Sequence, residues 1–387
     1  MPGTKERGAK EHIYMLPIGF KETTKKRLGL HHHLILIGFT ILSLSLAGLV
    51  KNSAIGVCYL NLGMIEIEKV LSAPSSRADE HLAKAENLAQ MASNWGFAKE
   101  RVLWVMGWVF RARGEFAKAE QFLAKSLNAS PRDPLIHFHQ GQLLYLAGKE
   151  ADAISHWSLA KAAPFFLHCA MAARARGDLM EAERLARIAT RLDKNSGEAL
   201  FLLAEVLLQK PQPELGEVRE ILEHAASLES ESRLGASVLA RLGDVRHFLG
   251  DEKGAVSAYE QALKRDPKSA HALTGLGRSI YLIENNRAEE ALQILAKAMA
   301  LDLSYVWPLL YTAQIYENRG EYAKALKWYL ISLVAFPRDP VPHIYIARYY
   351  ARLGLMQLAI QKYWEALDRG AGEHVRRELE RLLLKER

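Results

Sequence analysis

The chain has 387 residues, of which 49% are hydrophobic, 25% charged and 9% aromatic. This balance is typical of a folded protein and excludes a wholly disordered, collagen-like or low-complexity chain. The two cysteines, Cys58 and Cys169, are too few for a disulfide framework or a four-cysteine zinc site. The length allows either two or three conventional domains or one long array of repeats.

The formal net charge of +7 is concentrated near the N-terminus. Residues 1–33 contain five lysines, two arginines and three glutamates, and therefore carry +4 of this charge. Because the rest of the chain carries only +3, a basic nucleic-acid-binding surface is not indicated, and we expect no nucleic-acid partner. The basic N-terminal segment, residues 1–33, requires a separate explanation.

A run of seventeen uncharged residues, Leu34 to Val50, follows this basic segment. A membrane-spanning helix needs about 20 mostly apolar residues, so the run predicts a transmembrane helix over residues 34–50. Only Lys51 follows it closely, whereas four basic residues precede it: Lys21, Lys25, Lys26 and Arg27. The positive-inside rule then places residues 1–33 in the cytoplasm and the rest of the chain outside it, as in a single-pass cell membrane protein.

A cleaved signal peptide is the alternative interpretation of the apolar run. Ser45-Leu46-Ala47 has the small-residue pattern of a cleavage site. The long segment that precedes the apolar core favours an uncleaved anchor.

The remainder of the chain repeats one pattern of small residues. Pairs of small residues, seven positions apart, recur at successive spacings of 34, 29, 36, 37, 36, 34 and 34 residues. These pairs are Ala119/Ser126, Ala153/Ala160, Ala182/Ala189, Val218/Ala225, Ala255/Ala262, Ala291/Ala298, Ala325/Ser332 and Ala359/Ala366. In most units a glycine stands five residues before the pair: Gly114, Gly148, Gly177, Gly250, Gly320 and Gly354. In most units a large residue stands four positions after the first small residue of the pair: Leu123, Trp157, Leu222, Tyr259, Leu295, Tyr329 and Tyr363.

Each part of this pattern has a mechanical reason. Apolar residues at helical spacing predict two helices in each unit. The glycine can adopt the left-handed conformation that ends the first helix before the second begins. Small residues allow the two helices to approach closely, and the large residue fills the space between neighbouring units.

This pattern resembles the tetratricopeptide repeat family. The best-matching unit is Leu239 to Ser269, with these residues in family positions: Leu242-Gly243, Gly250-Asp251, Ala255, Tyr259, Ala262 and Asp266-Pro267. The resemblance implies an all-α, right-handed superhelical solenoid of antiparallel helix pairs, with about eight repeats over residues 100–370. We expect a degenerate helix pair at 56–95 before the array and a capping helix at 373–387 after it.

Three units depart from the family pattern. Lys210 to Pro213 replaces the glycine turn of the fourth unit, and Glu284 to Arg287 replaces that of the sixth. The 29-residue spacing and Ala163-Pro164-Phe165 predict a shortened junction between the second and third units.

No catalytic or metal-binding signature was found in the sequence. HExxH, CxxC, GxSxG and phosphate-loop motifs are absent. Thr274 to Ser279 contains two glycines, but they fall at packing positions of a first helix. We therefore expect no enzyme activity, no cofactor and no metal ion.

The resemblance implies a concave groove formed by the first helices, which would hold a protein or peptide segment. Carried over unit by unit, its positions give these candidate binding residues: Arg101, Trp104, Trp108, Arg111, Phe138, His139, Tyr145, Glu205, Arg241, Asp244, His271, Arg278, Trp307, Tyr311, Gln314, Tyr345 and Arg348. Aromatic and arginine residues are common anchors of protein interfaces. The alternative is that Trp104 and Trp108 fill helix interfaces, and that Tyr311 and Tyr345 are buried between repeats.

Near the end of the array the candidates predict a specific surface. Tyr311 and Tyr345 occupy the same position in consecutive units, so we expect them to be neighbours. Arg241, Arg278 and Arg348 would extend a basic, aromatic-lined track for an acidic and apolar segment of a partner.

The favoured function is a membrane-anchored scaffold that mediates protein–protein interaction in the assembly or organisation of a membrane or envelope complex. Two alternatives remain open. One is a cytoplasm-facing adaptor that regulates a membrane enzyme, and the other is a solenoid that binds a glycan or another polymer. The repeat pattern does not predict an oligomeric state.

Overall fold

A computed structural model describes residues 58–66, 75–94, 99–229 and 232–386. These residues form helices and short connections, without a strand, and they fall into two compact units, Met1–Lys194 and Asn195–Arg387. Within the described ranges, no helix combines the length and the apolar character needed to cross a membrane. The predicted basic segment and the predicted transmembrane helix at 34–50 lie outside these ranges.

The first unit contains eight helices within the described residues. Apart from α1, which covers residues 58–66, their bounds are α2 Ser75–Asn94, α3 Lys99–Ala112, α4 Phe116–Ala129, α5 Pro134–Leu146, α6 Glu150–Leu159, α7 Ala163–Ala175 and α8 Leu179–Leu192.

The second unit continues the same alternation of helices and short connections. Its described helices are α9 Gly197–Leu208, α10 Leu215–Leu228, α11 Arg233–Phe248, α12 Glu252–Arg265, α13 Ala270–Ile283, α14 Ala288–Leu301, α15 Trp307–Asn318, α16 Tyr322–Ala335, α17 Pro340–Arg352, α18 Met356–Asp368 and α19 Glu373–Glu386. A one-turn 3₁₀ helix, Asn285–Arg287, precedes α14.

The turns between paired helices form where the sequence predicts them. All six glycines of the pattern have positive φ angles, between 75° and 82°: Gly114, Gly148, Gly177, Gly250, Gly320 and Gly354. A residue with a Cβ atom rarely adopts this conformation, which explains why glycine recurs at this position. The short connection within each pair places its two helices side by side and antiparallel.

The three predicted departures also appear in the backbone. The connection from Leu208 to Leu215 is longer than the glycine turns, and the 3₁₀ helix occupies the second atypical turn. At the shortened junction between α6 and α7, Lys161 has a φ of 53°, the only positive φ of a non-glycine residue in the described ranges.

Close approach of the helices depends on glycine as well as alanine. Tyr259 is fully buried in the second unit, between Gly243 of α11 and Gly275 of α13. A Cβ atom at Gly243 would lie 2.5 Å from a ring carbon of Tyr259, and one at Gly275 would lie 2.2 Å from another. The glycines of the Thr274–Ser279 segment are thus packing positions, as expected, and the predicted all-α array of helix pairs is confirmed in the described residues.

Candidate protein-binding surfaces

Two clusters of predicted site residues occur in the described structure, one in each unit. In the first unit, Trp104, Trp108 and Arg111 lie on one face of α3 because they are spaced by four and three residues. His139 comes from α5, and its ring centroid lies 5.3 Å from that of Trp104. We call these four residues the Arg111 pocket.

Both tryptophans of this pocket are largely buried. Trp104 is 6% exposed and Trp108 is 5% exposed, so both fill space between helices. The contact of Trp104 with the first helix of the next pair agrees with the alternative interpretation of that residue. The ring nitrogen of Trp104 is buried and has no hydrogen-bond partner within the described structure.

Arg111 differs from Arg241, Arg278 and Arg348 in having no described hydrogen-bond partner. Its guanidinium carbon lies 5.6 Å from the ring centroid of Trp108, which is a cation–π distance. Its Nε is buried without a hydrogen-bond partner, and no described carboxylate forms an ion pair with it. By contrast, Arg113, two residues further along α3, forms a 2.5 Å ion pair with Glu86.

Burial controls the charge state of the pocket. It lowers the pKa of Arg111 to about 10, so the guanidinium stays positively charged at neutral pH. Burial, together with the charge of Arg111, lowers the pKa of His139 to about 3, although a hydrogen bond to Gln142 acts in the opposite direction. At neutral pH His139 is therefore neutral, with Nδ1 donating to Gln142 Oε1 at 3.1 Å, and the pocket carries one positive charge.

The other predicted residues of the first unit lie around this pocket or apart from it. Arg101 is exposed on α3, three residues before Trp104. Phe138 is half-buried, with its ring edge-on to those of His139 and Phe165. The hydroxyl of Tyr145 accepts a 3.1 Å hydrogen bond from Arg184 instead, and no described ring or polar contact joins Tyr145 to the Arg111 pocket.

In the second unit, a network of paired charges surrounds Asp244. The Tyr259 hydroxyl donates to Asp244 Oδ1 at 2.7 Å, and His271 Nε2 donates to Oδ2 at 2.7 Å. Arg241 Nη1 lies 3.0 Å from the same Oδ2, and Arg241 Nε donates to Glu205 at 2.6 Å. We call these five residues the Asp244 network.

The network holds Asp244 in its ionised form. Burial acts to raise the pKa of this carboxyl group, but the hydrogen bond from His271 and the charge of Arg241 outweigh it, so the pKa is lowered. Burial and the nearby Asp244 charge raise the pKa of Tyr259, which remains a hydrogen-bond donor. The two predicted site residues Arg241 and Asp244 thus neutralise each other.

Next to this network the aromatic candidates form a pocket, which we call the Trp307 pocket. The rings of Trp307 and Tyr311 stack at 5.7 Å, and those of Trp307 and Tyr345 meet edge-on at 6.0 Å. Trp307 therefore contacts both tyrosines that the sequence predicts to be neighbours. The pocket volume is about 300 Å³, and its lining also includes Phe248, Leu282, Arg278, Gln314 and Asn318.

Arg278 forms one wall of the Trp307 pocket. It donates from Nη1 to the Tyr311 hydroxyl at 2.7 Å, and its guanidinium carbon lies 5.0 Å from the Tyr311 ring centroid. Its Nη2 donates to the Tyr259 hydroxyl at 3.3 Å, which links the pocket to the Asp244 network. Burial raises the pKa of Tyr311 to about 12, so its hydroxyl is neutral at physiological pH.

Arg348 is tied to the C-terminal helix. It forms two hydrogen bonds with Glu378 of α19, at 2.9 and 2.5 Å, and Tyr363 donates to the same carboxylate at 2.9 Å. Its guanidinium carbon lies 5.8 Å from the Tyr345 ring centroid. Because Arg241 and Arg348 are both in ion pairs, the track predicted to be basic has much of its charge neutralised within the unit.

The sequence analysis missed two exposed apolar residues of the Trp307 pocket. Phe248 is 63% exposed and Leu282 is 48% exposed, each near the end of a first helix. A large apolar residue just before a turn glycine, as Phe248 stands before Gly250, was the available signal. Among the described residues, no cluster of three or more histidine, cysteine or acidic side chains could hold a metal ion.

Comparisons with known proteins agree with this architecture. A family model described as tetratricopeptide repeat matches residues 105–165, 170–222 and 241–302. A tetratricopeptide repeat protein of Parabacteroides merdae has a similar structure, with a TM-score of 0.50, 15% identity, and coverage of 74% of this chain and 99% of that one. Yeast Tom70 gives a TM-score of 0.42 at 13% identity, covering 85% of this chain and 84% of its own.

A curated relative has a similar sequence. The Caenorhabditis elegans protein named BBSome complex member bbs-4 is 21% identical over 248 residues, which are 63% of this chain and 47% of that protein. The chain thus spans about half the length of this relative. Together with the glycine turns and the buried small residues, the family match indicates tetratricopeptide repeats in residues 105–165, 170–222 and 241–302.

Proposed function

We propose that this protein is a tetratricopeptide repeat scaffold that binds segments of partner proteins. The Trp307 pocket is the observation that carries this proposal. It combines aromatic rings, the exposed apolar side chains of Phe248 and Leu282, and polar side chains in one concave site of about 300 Å³. Such a site fits one large apolar side chain of a partner, with Gln314 and Asn318 available to hydrogen-bond the adjacent backbone.

We further propose that the scaffold is anchored in a cell membrane. The uncharged run from Leu34 to Val50 and the four bases before it support a single-pass anchor with residues 1–33 in the cytoplasm. The repeats would then act outside the cytoplasm, in the assembly or organisation of a membrane or envelope complex. The name of the relative bbs-4 as a member of a protein complex is in line with an assembly role.

Site-directed photo-crosslinking tests partner binding at the Trp307 pocket. A photoreactive amino acid replaces Asn318, which is exposed and lines the pocket, in the full chain in its native membranes. We expect a crosslinked protein adduct that Trp307→Ala removes, since an aromatic anchor contributes about 2 kcal/mol or more, roughly 30-fold in affinity.

Trp364 provides the matched control. It is also a tryptophan of the second unit, it is 53% exposed, and it does not line the pocket. Trp364→Ala should leave the Asn318 adduct unchanged, and the thermal unfolding of both variants shows whether each remains folded. An adduct of equal yield in folded Trp307→Ala protein would contradict the proposed site.

Protease accessibility tests the membrane topology. Protease added to intact spheroplasts should digest the repeats and spare the first thirty or so residues. If the repeats are protected and become accessible only after lysis, the cytoplasm-facing adaptor is the correct alternative.

A glycan or another polymer is the second candidate ligand of the Trp307 pocket. The stacked rings of Trp307 and Tyr311, with an interplanar angle of 27°, offer a flat apolar surface beside two amide side chains. Sugars bind to such a combination by ring stacking and hydrogen bonding. After complete trypsin digestion, a crosslinked peptide around position 318 that carries a glycosidase-sensitive mass and no partner peptide would favour this candidate over a protein segment.

A further inference from the structure

Arg111 is a cation that the described structure leaves without a counter-charge. Its Nε is buried and unpartnered, whereas Arg113 on the same helix has Glu86, Arg241 has Glu205 and Asp244, and Arg348 has Glu378. The Nε of Arg278 is also buried and unpartnered, but that residue donates from its two Nη atoms to the hydroxyls of Tyr311 and Tyr259. Removing a charged group from water without a partner destabilises a protein. The cation–π contact with Trp108 offsets only part of this cost, and a ligand that supplies the missing negative charge would offset the rest.

The surroundings of Arg111 define that ligand as a single anion. Trp104, Trp108 and the neutral His139 provide no negative charge of their own. The guanidinium is planar and can donate two parallel hydrogen bonds, which matches the geometry of a carboxylate. The ring nitrogen of Trp104, in a side chain that is only 6% exposed, is a second unpartnered donor in the same pocket.

Aromatic rings extend the pocket in one direction. Ring contacts run from Trp104 to His139 at 5.3 Å, from His139 to Phe138 at 5.5 Å and from Phe138 to Phe165 at 4.9 Å. Phe165, at the far end, is 37% exposed. Trp104 and His139 are buried, so the accessible part of this chain of rings is Phe138 and Phe165, which suits an apolar residue beside the acidic one.

We propose that the Arg111 pocket binds an aspartate or glutamate side chain of a partner protein, with an adjacent apolar residue of the same segment on the aromatic surface that ends at Phe165. The positive charge of Arg111 is the complement of the acid, and the surrounding rings exclude water from the ion pair, which strengthens it. This site is in the first unit and is separate from the Trp307 pocket. The proposal rests on the proposed function only in taking a protein segment as the ligand.

A peptide array tests the proposal with the purified full chain in detergent. The probes are randomised octapeptides with acetylated and amidated ends, so that side chains are their only source of carboxylate. We expect selected peptides to share an acidic residue next to an apolar one. Arg111→Gln should weaken their binding at least 10-fold, and Arg111→Lys, which keeps the charge but loses the planar fork, should weaken it less.

Two controls separate a binding role from a structural one. Arg113→Gln, in the same helix, should leave the acidic preference intact because Arg113 is already paired with Glu86. Arg111→Gln should unfold at the same temperature as the wild type or a higher one, since it removes an uncompensated buried charge. A fall in unfolding temperature for this variant would show a structural role and overturn the proposal.

A second array, of octapeptides with free C-termini, identifies the source of the carboxylate. Acidic selection in the blocked array supports the proposal, whereas selection only among free C-termini overturns the choice of a side chain. Acidic selection that persists in Arg111→Gln also overturns it, as does the absence of any acidic preference. None of these results depends on the Asn318 crosslink, so the two proposals can fail separately.

Discussion

The Arg111 pocket and the Asp244 network are built from the same kinds of residue, yet their charges are balanced in opposite ways. Each has an arginine and a histidine on the first helices of consecutive pairs, together with at least one large aromatic side chain. In the Asp244 network the cation Arg241 meets two carboxylates, at 2.6 and 3.0 Å. In the Arg111 pocket no described carboxylate is paired with the cation, and its histidine is neutral at physiological pH.

This difference indicates a division of roles between the two regions. Where the repeat supplies its own counter-charges, the polar groups are satisfied internally and stabilise the packing of consecutive helices. Where it does not, the unmet charge is available to a ligand. The same repeat architecture can therefore hold either a paired or an unpaired charge at a groove position. One or two side chains from the neighbouring helices decide which of the two occurs.

The strongest test of the comparison is removal of the central carboxylate, Asp244→Ala. The change leaves Arg241, His271 and Tyr259 without a common partner, so we expect a loss of about 3 kcal/mol or more in the free energy of unfolding. Urea unfolding followed by circular dichroism measures it.

Glu289→Ala is the control for this prediction. Glu289 pairs with Arg319 on the surface of the same unit, where its side chain is 75% exposed, so its loss should cost at most about 1 kcal/mol. If the two variants lose the same free energy of unfolding, the Asp244 network contributes no more stability than a surface ion pair.

The packing beneath the network gives the next largest effect. A Cβ atom at Gly275 would lie 2.2 Å from the Tyr259 ring, whose hydroxyl donates to Asp244, so Gly275→Ala must displace the ring. We expect a cost of about 1–3 kcal/mol from overpacking. Thermal unfolding of Gly216→Ala is the control, because a Cβ atom there meets nothing within 4 Å and should leave stability unchanged or slightly higher.

Mild acid should distinguish the two regions. Because the folded pKa of His139 is about 3, against about 6.5 when unfolded, only the unfolded chain takes up this proton between those values. Stability is therefore complete above pH 6.5 and falls as the pH decreases, by about 2 kcal/mol at pH 5. The contribution of Asp244, whose folded pKa is lowered, persists to about pH 4 and is lost below it.

Hydrogen exchange with mass spectrometry can follow the two regions separately. Between pH 7 and 5, after correction for intrinsic exchange rates, protection of α3 and α5 should fall while that of α11 and α13 is retained. His139→Gln should remove most of the pH dependence in α3 and α5. An equal pH dependence in the variant would assign the effect to other groups, such as His156, whose pKa burial also lowers.

The sequence predicted the backbone of this protein better than its electrostatics. A glycine turn is a local property, because the φ angle at Gly250 depends on that residue and its immediate neighbours. Two of the ion pairs that neutralise the predicted basic track are not local. Arg241 pairs with Glu205, 36 residues away, and Arg348 pairs with Glu378, 30 residues away. Such pairs depend on the rotation of each helix about its axis, which the repeat period does not specify.

The position of Trp307 illustrates the same limit. Its neighbour Tyr311 and the equivalent Tyr345 are 34 residues apart, so their proximity was predictable from the period. The contact of Trp307 with both rings depends on its side-chain direction at the first turn of α15, which the period does not determine. Likewise, the missing counter-charge of Arg111 appears only once the carboxylates around α3 have been placed.

The smallest effects come from removing one arginine from each region. Arg348 forms a two-fold hydrogen bond with Glu378, but its side chain is 39% exposed, so Arg348→Gln should lower the free energy of unfolding by only about 1 kcal/mol. Arg111→Gln should leave that free energy unchanged or raise it, because no ion pair is lost and a buried charge is removed. Differential scanning calorimetry of the two variants under one buffer condition measures the contrast. The signs are the informative quantity. If Arg111→Gln is the more destabilising of the two, Arg111 stabilises the fold by more than its cation–π contact with Trp108, and the distinction between the two regions fails.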